Sequence, residues 1–360
     1  MKNEDKGLVA ITGANGTIGY ACVVYALQSG YRVRCIVRRK EAFETITSGL
    51  SVQAYSDRLE YAVVPDNAAE GAYLDALAGV KYVIHIAGAW PMPHLHPDNE
   101  IYHPFIKSTK NVIEAAEKSG TVKRIVFTQA GAGLVDSEVG DTYGNRMEQI
   151  LDEHVQVNQA ALTYKPPLKS PHQAYCASKS QCMTYLNDLR LSKSLPFQIV
   201  QVIPGTVIGP SEFITTRSQA LKHIDRQTKA LLFDEMAPRY AFGFVHVQDC
   251  ARVHVEALNE AKVKSAKIPP WFVAASSSED GDDGTTLWDR AADAIELEFS
   301  EEVKSGVFKL GRAKTPINMP YRVDSNLTES LLLRGEKMRG LEECVIEVAH
   351  WFLRLKTDEE

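Results

Sequence analysis

The chain has 360 residues, long enough to bury a core without disulfides or a structural metal, and 40 Lys plus Arg against 46 Asp plus Glu give it a net charge of −6. That mild acidic balance, with no Lys/Arg-rich stretch, argues against a nucleic-acid partner. No run approaches about 18 apolar residues, so no membrane span is expected, and the charged opening MKNEDKG does not read as a signal peptide.

Strands alternate with helices from the start. Residues 7–12 (GLVAIT) predict a first strand, followed by a glycine-rich turn and a helix through Gln28. Further strands are expected at 31–37 and 61–64, with a short helix at 72–78. The fourth strand, 81–87 (KYVIHIA), is nearly all apolar after its Lys, as when both faces of a parallel sheet are covered. A helix at 106–118 precedes a strand at 122–128, and a helix at 172–194 precedes one at 197–203. This βαβ series predicts an α/β fold with a doubly wound parallel sheet. Two polar stretches interrupt it. Residues 134–171 should hold short helices or cover a site, and 274–285 should be a solvent loop. Helices follow near 286–298, 326–333 and 341–355, the last anchored by Trp351 and Phe352. Six scattered cysteines with no CxxC pair predict reduced thiols in a cytoplasmic protein.

The segment Gly13-Ala14-Asn15-Gly16-Thr17-Ile18-Gly19 follows a strand and opens a helix. Gly13 allows a tight turn, Gly16 lets the backbone approach a pyrophosphate, and Gly19 lets helix and strand close together. The helix N-terminus supplies amides and a positive dipole end. An NAD-selective site ends its second strand with an acid. This chain has Arg38, Arg39 and Lys40 instead, with no acid before Glu41. Those cations suit a 2′-phosphate and point to NADP, with Arg38 the favoured contact. Asp66 either accepts from the adenine amine or fixes its loop. Ala87, Gly88 and Ala89 end the fourth strand with small side chains that a cofactor could approach closely.

Tyr175 and Lys179, four residues apart, share one helix face. A phenol with a pKa of about 10 becomes a useful proton donor or acceptor only when nearby positive charge favours its phenolate. Lys179 can supply that charge and hold the nicotinamide ribose. Cys176 points off this face and reads as packing.

With these motifs in hand, the chain resembles an extended short-chain dehydrogenase/reductase, in particular fungal aldehyde and ketone reductases and plant dihydroflavonol reductases. The resemblance covers roughly residues 7–355 and rests on GANGTIG, VRR, KYVIHIAG, STKNVIEAA, VKRIVFT, YCASK, PGTVIGP and FVHVQDCARVHVEAL. It implies a Rossmann-type core at 1–205, a substrate-lobe segment at 206–243, a return to the core at 244–275, and a smaller C-terminal substrate-binding lobe over 276–360. It further implies hydride transfer from NADPH to a carbonyl of a small organic substrate, with Tyr175 giving the proton and Lys179 assisting. Pro204, Gly205, Thr206 and Val207 would line the nicotinamide. Trp90, Pro91, Met92, Ala130, Phe213 and Tyr240 would wall the substrate pocket. Such a protein would be a monomer or homodimer, and a fungal biosynthetic role would suit it.

Two departures stand out. The family reads TSS after its fifth strand, and its last Ser donates to the substrate carbonyl. Here Thr128-Gln129-Ala130 puts a methyl at that place, which by analogy with a lost oxyanion-hole donor costs roughly 10²–10³ in rate. Alternation puts Thr128 on the side of Ala130 but deeper, while a twist could bring Gln129 inward. Water or a substrate hydroxyl could also fill the gap. Phe105 stands where many relatives carry a proton-relaying Asn. A non-redox isomerase, cyclase or dehydratase, or a silent NADP-binding protein, therefore stay open beside the reductase. His94 and His96 make one HxH pair without a third ligand, and His246 and His254 read as core or surface hydrogen-bonding groups.

Overall fold

Short apolar runs between glycine turns become strands, and the computed structural model places seven of them in one sheet. It describes residues 5–135, 149–192, 195–235, 242–264, 267–279, 284–312 and 321–357. The strands are β1 (Leu8–Thr12), β2 (Arg32–Val37), β3 (Leu59–Val63), β4 (Tyr82–His85), β5 (Arg124–Thr128), β6 (Gln198–Pro204) and β7 (Phe272–Ala274). Their order is β7-β6-β5-β4-β1-β2-β3, with parallel pairing recorded from β3 through to β6. The order reverses between β1 and β4, so their C-terminal ends flank the crevice where ligands bind in open α/β sheets. β1 and β4 are buried throughout, which is why their sequences run apolar without alternation.

The chain divides into two compact units. The first comprises residues 1–140, 154–203 and 251–272. Its helices include α1 (Thr17–Gln28), α2 (His103–Ser119) and α3 (Pro171–Ser192). One of its cores joins Ala10, Val83, Ile125 and Ile199 of the sheet to Val112 and Ala116 of α2 and Leu186 of α3. Arg124 is fully buried in this unit. It donates to Gln198 and to the carbonyls of Ala257 and Val263, so its charge is met by fixed acceptors and the 257–263 turn is tied to the sheet.

One expected element differs. Residues 72–78 form consecutive turns, not a helix: the amides of Ala72, Leu74 and Ala78 bond three residues back, to Ala69, Gly71 and Asp75, and that of Leu77 bonds four back, to Tyr73. Tyr73, Ala76 and Leu77 are nonetheless buried, so the apolar spacing marked packing correctly.

The second unit comprises residues 141–153, 204–250 and 273–360. Its core gathers Ile208, Leu231, Phe244, Trp288, Ile295 and Phe308 against Val345, Trp351 and Phe352 of the helix Leu341–Arg354. Trp351 and Phe352 thus anchor that helix as expected. The strand Thr206–Ile208 pairs in parallel with Phe244–His246.

Candidate functional site

The first unit builds a glycine cradle between β1 and α1. Gly13 adopts φ +67°, and a Cβ there would lie 3.2 Å from the Ala87 backbone. At Gly19 a Cβ would fall 2.0 Å from the Gly13 carbonyl oxygen, so only glycine lets the helix start this close to the turn. α1 begins after Gly16 with no side-chain cap, and Asn15, Gly16 and Thr17 are exposed, while Ile18 is half-buried behind them. A bare helix N-terminus behind a side-chain-free turn fits a pyrophosphate. Beyond β2, Arg38, Arg39 and Lys40 are all exposed. Lys40 faces Glu44 at 3.6 Å, whereas Arg38 and Arg39 have no ion pair among the described residues. Two uncommitted guanidinium groups fit a 2′-phosphate. Asp66 accepts the Ala68 N–H at 2.8 Å, so one of its oxygens fixes its own turn.

Thr12 links the cradle to the end of β4. Its Oγ1 accepts the N–H groups of Ile86 (2.9 Å) and Ala87 (3.0 Å) and lies 2.9 Å from His85 Nδ1. The chain of contacts continues from His85 Nε2 to Ser108 Oγ (3.3 Å) and on to the Tyr73 hydroxyl (3.2 Å), all buried. Burial, with Lys179 adding to it, pulls the His85 pKa down to about 3, which leaves the ring neutral. Sequence reasoning passed over His85. The available signal was one polar ring inside an otherwise apolar central strand. The effect of the network is to fix the Ala87-Gly88-Ala89 segment beside the glycine turn.

Tyr175 and Lys179 lie one turn apart near the start of α3, each less than a tenth exposed. The Lys179 ammonium donates to the Thr128 carbonyl at 3.0 Å and lies 5.9 Å from the centre of the Tyr175 ring. Burial pulls its pKa down to about 8. Phe105 completes the group. Its ring centre is 4.6 Å from Lys179 Nζ and 5.6 Å edge-on from Tyr175. It packs where Gly88 offers no side chain, since a Cβ there would fall 2.3 Å from the ring. A cavity of about 10 Å³ remains beside Phe105, Lys179, Thr128 and His85, room for at most about one water. On the outer side, Trp90 is 67% exposed with its ring 5.8 Å from that of Tyr175. Met92 is exposed and Pro91 half-buried in the same loop.

The two polar side chains that precede Ala130 each have a partner. Gln129 Nε2 donates to Gln201 Oε1 at 2.7 Å, and Gln201 in turn donates to the carbonyls of Met183 and Pro270. Thr128 Oγ1 lies 2.9 Å from His254 Nε2. The structure thus brings Tyr175, Lys179, Phe105 and Trp90 together but directs the Gln129 amide and Thr128 hydroxyl to other partners. The turn after Ala130 is fastened to α3 by Ser180 Oγ, which donates to the Gly133 carbonyl at 3.0 Å.

Pro204, Gly205, Thr206, Val207 and Phe213 belong to the second unit and are half-buried there. Gly205 N–H donates to the Ala274 carbonyl and Thr206 N–H to that of Gly243, each at 2.9 Å. Tyr240 falls outside the described residues. His96 Nδ1 accepts from the amides of Asp98 and Asn99, capping a helical turn, and His94 is exposed. His246 is buried 3.2 Å from Glu347.

The chain is 28% identical to the ketoreductase CTB6 of Cercospora nicotianae, covering 98% of this chain and 97% of that one. It is 28% identical to dihydroflavonol 4-reductase of Hordeum vulgare over 67% of this chain and 68% of that one. The fold matches yeast methylglyoxal/isovaleraldehyde reductase Gre2, solved with NADPH, at a TM-score of 0.71 and 21% identity, covering 96% of this chain and 98% of that one. The profile of the NAD dependent epimerase/dehydratase family matches residues 9–268, and the chain belongs to that family.

Proposed function

We propose that this chain is an NADPH-dependent reductase of a carbonyl or imine in a small organic substrate, with Tyr175 as proton donor. The observation that carries it is the buried Lys179 ammonium within 5.9 Å of the Tyr175 ring, on the same face of α3. A fixed positive charge there favours the phenolate that proton donation leaves behind. The glycine cradle and the free Arg38 and Arg39 support NADPH as the cofactor. The names of the ketoreductase and dihydroflavonol reductase relatives support a ketone as the group reduced.

When bound, NADPH supplies the hydride. Tyr175 would give its proton to the substrate oxygen as a carbonyl carbon is reduced, leaving an alcohol. Lys179 remains charged throughout, held by the Thr128 carbonyl, and Tyr175 regains its proton from solvent.

The test is cofactor oxidation on adding aldehydes and ketones, with product analysis. Stoichiometric NADPH consumption by the wild type and its loss in Tyr175→Phe is the expected result. Full activity in that variant overturns the role of Tyr175. Turnover without net NADPH oxidation would make the protein an isomerase or dehydratase, and NADPH binding with no turnover a silent binder.

A further inference from the structure

We propose that two copies of this chain pair through β3, antiparallel and edge to edge, about a two-fold axis at Tyr61. This does not rest on the reductase reading above.

β3 ends one side of the seven-stranded sheet, and among the described residues no strand pairs with its outer edge. The N–H of Val64 donates to the Val37 carbonyl at 2.8 Å. By the alternation along a strand, Glu60 and Ala62 also turn their backbone groups toward β2, while Leu59, Tyr61 and Val63 turn N–H and C=O outward. Open edges are ordinarily blunted by Lys, Pro, a bulge or a covering element. β3 contains neither Lys nor Pro, and two of its outward-turned residues are exposed, Tyr61 at 40% and Val63 at 44%.

The segment LEYAV is its own complement. Read antiparallel about Tyr61, Leu59 meets Val63 of the second copy and Tyr61 meets its own counterpart, and each pair exchanges two backbone bonds. Their side chains share one face of the strand, and Phe43 stacks on the Tyr61 ring at 4.6 Å, so that face of the joined edge is apolar and aromatic. On the other face Glu60 meets Ala62 of the second copy, and its carboxylate is paired with Arg34 of its own chain at 2.6 Å. The neighbouring registers are worse. A slip one way sets the two Glu60 carboxylates opposite each other, and a slip the other way sets Pro65, which has no N–H, against Leu59. The strand therefore fits a second copy of itself in one register, and such a two-fold pairing closes as a dimer.

The experiment is sedimentation velocity of the full chain at rising concentration, for the wild type, Val63→Pro and Tyr61→Lys. Val63→Pro removes an outward N–H and no bond to β2, and Tyr61→Lys sets two ammonium groups together at the axis. The wild type should pass from monomer to dimer, and each variant should need about 10-fold more protein or stay monomeric, with its circular dichroism unchanged. A third variant, Tyr61→Cys, tests the register. All six native cysteines are buried, and Cα atoms of a hydrogen-bonded antiparallel pair lie about 5.5 Å apart, so mild oxidation should link two copies through position 61. Should Val63→Pro fail to fold, Tyr61→Lys and the cross-link decide alone. A wild type still monomeric at about 0.1 mM overturns the proposal and leaves the edge to a strand of another protein. A dimer that neither substitution weakens overturns it as well, as does a dimerising protein in which Tyr61→Cys gives no cross-link.

Discussion

The Lys179 ammonium lies 4.6 Å from the centre of the Phe105 ring while donating to the Thr128 carbonyl at 3.0 Å, so a buried cation is held by an aromatic face and one peptide oxygen. A desolvated cation–π contact is worth about 2 kcal/mol, which partly offsets the cost of burying the charge. Phe105→Leu keeps the site apolar but removes that face. Its kcat should fall by about 10-fold at neutral pH, with the alkaline limb of the profile displaced to lower pH. Phe105→Tyr should stay close to the wild type. A pH profile of kcat/KM for the three proteins checks this. A purely structural role for the ring would lower kcat without moving the limb.

Burial sets the Lys179 pKa at about 8 against an ordinary 10.5, and the two consequences run in opposite directions. In the proposed mechanism the ammonium is the active form, so kcat/KM should decline as pH rises through about 8. Stability should instead rise between about 8 and 10.5. Over that interval the folded lysine has lost its proton while the unfolded one retains it, so the unfolded state binds more protons. Urea midpoints measured across this range should increase in the wild type and flatten in Lys179→Met.

The strands of the first unit were readable because β1 and β4 are buried on both faces and so write continuous apolar runs. The glycine cradle was readable because each glycine answers a steric demand that no other residue meets. Phe105 was visible only as a departure from a pattern, since nothing in a linear sequence shows that its ring covers Lys179. The commitment of Gln129 to Gln201 was equally hidden. It depends on β5 lying beside β6, 72 positions along the chain, and on the local direction of one side chain. His85 escaped notice because a polar residue satisfied from both ends by Thr12 and Ser108 packs in a strand like an apolar one. Residues 72–78 show the limit for local structure, since the same apolar spacing serves a helix or a string of turns.

Arg38 and Arg39 are exposed at the end of β2 without ion pairs among the described residues, so replacing them should disturb little besides ligand binding. A charge-assisted hydrogen bond is worth about 1.5–3 kcal/mol. Arg38→Ala should therefore weaken NADPH binding by about 10- to 100-fold, and Arg39→Ala by less. NADH, which lacks the 2′-phosphate, should bind both variants as it binds the wild type. Calorimetric titration with the two nucleotides decides it. Equal losses for NADPH and NADH would show that the arginine acts on the fold or on the shared pyrophosphate.

His85 predicts how the protein responds to acid. Its ring is buried between Thr12 and Ser108, and burial followed by the Lys179 charge lowers its pKa from 6.5 to about 3. A folded pKa below the unfolded one means that stability is full above 6.5 and is lost as pH falls toward about 3, because the unfolded ring takes up a proton that the folded one refuses. His85→Gln keeps hydrogen-bonding capacity without a titrating ring. Urea unfolding from neutral pH down to about pH 4 should show a steeper loss of stability in the wild type than in the variant, with the curves parallel above 6.5. Identical slopes would mean that the acid sensitivity arises from carboxylates elsewhere. In the folded protein the neutral ring leaves Lys179 as the buried cation beside Tyr175 in this group, which is the charge arrangement that the proposed proton donation from the phenol needs.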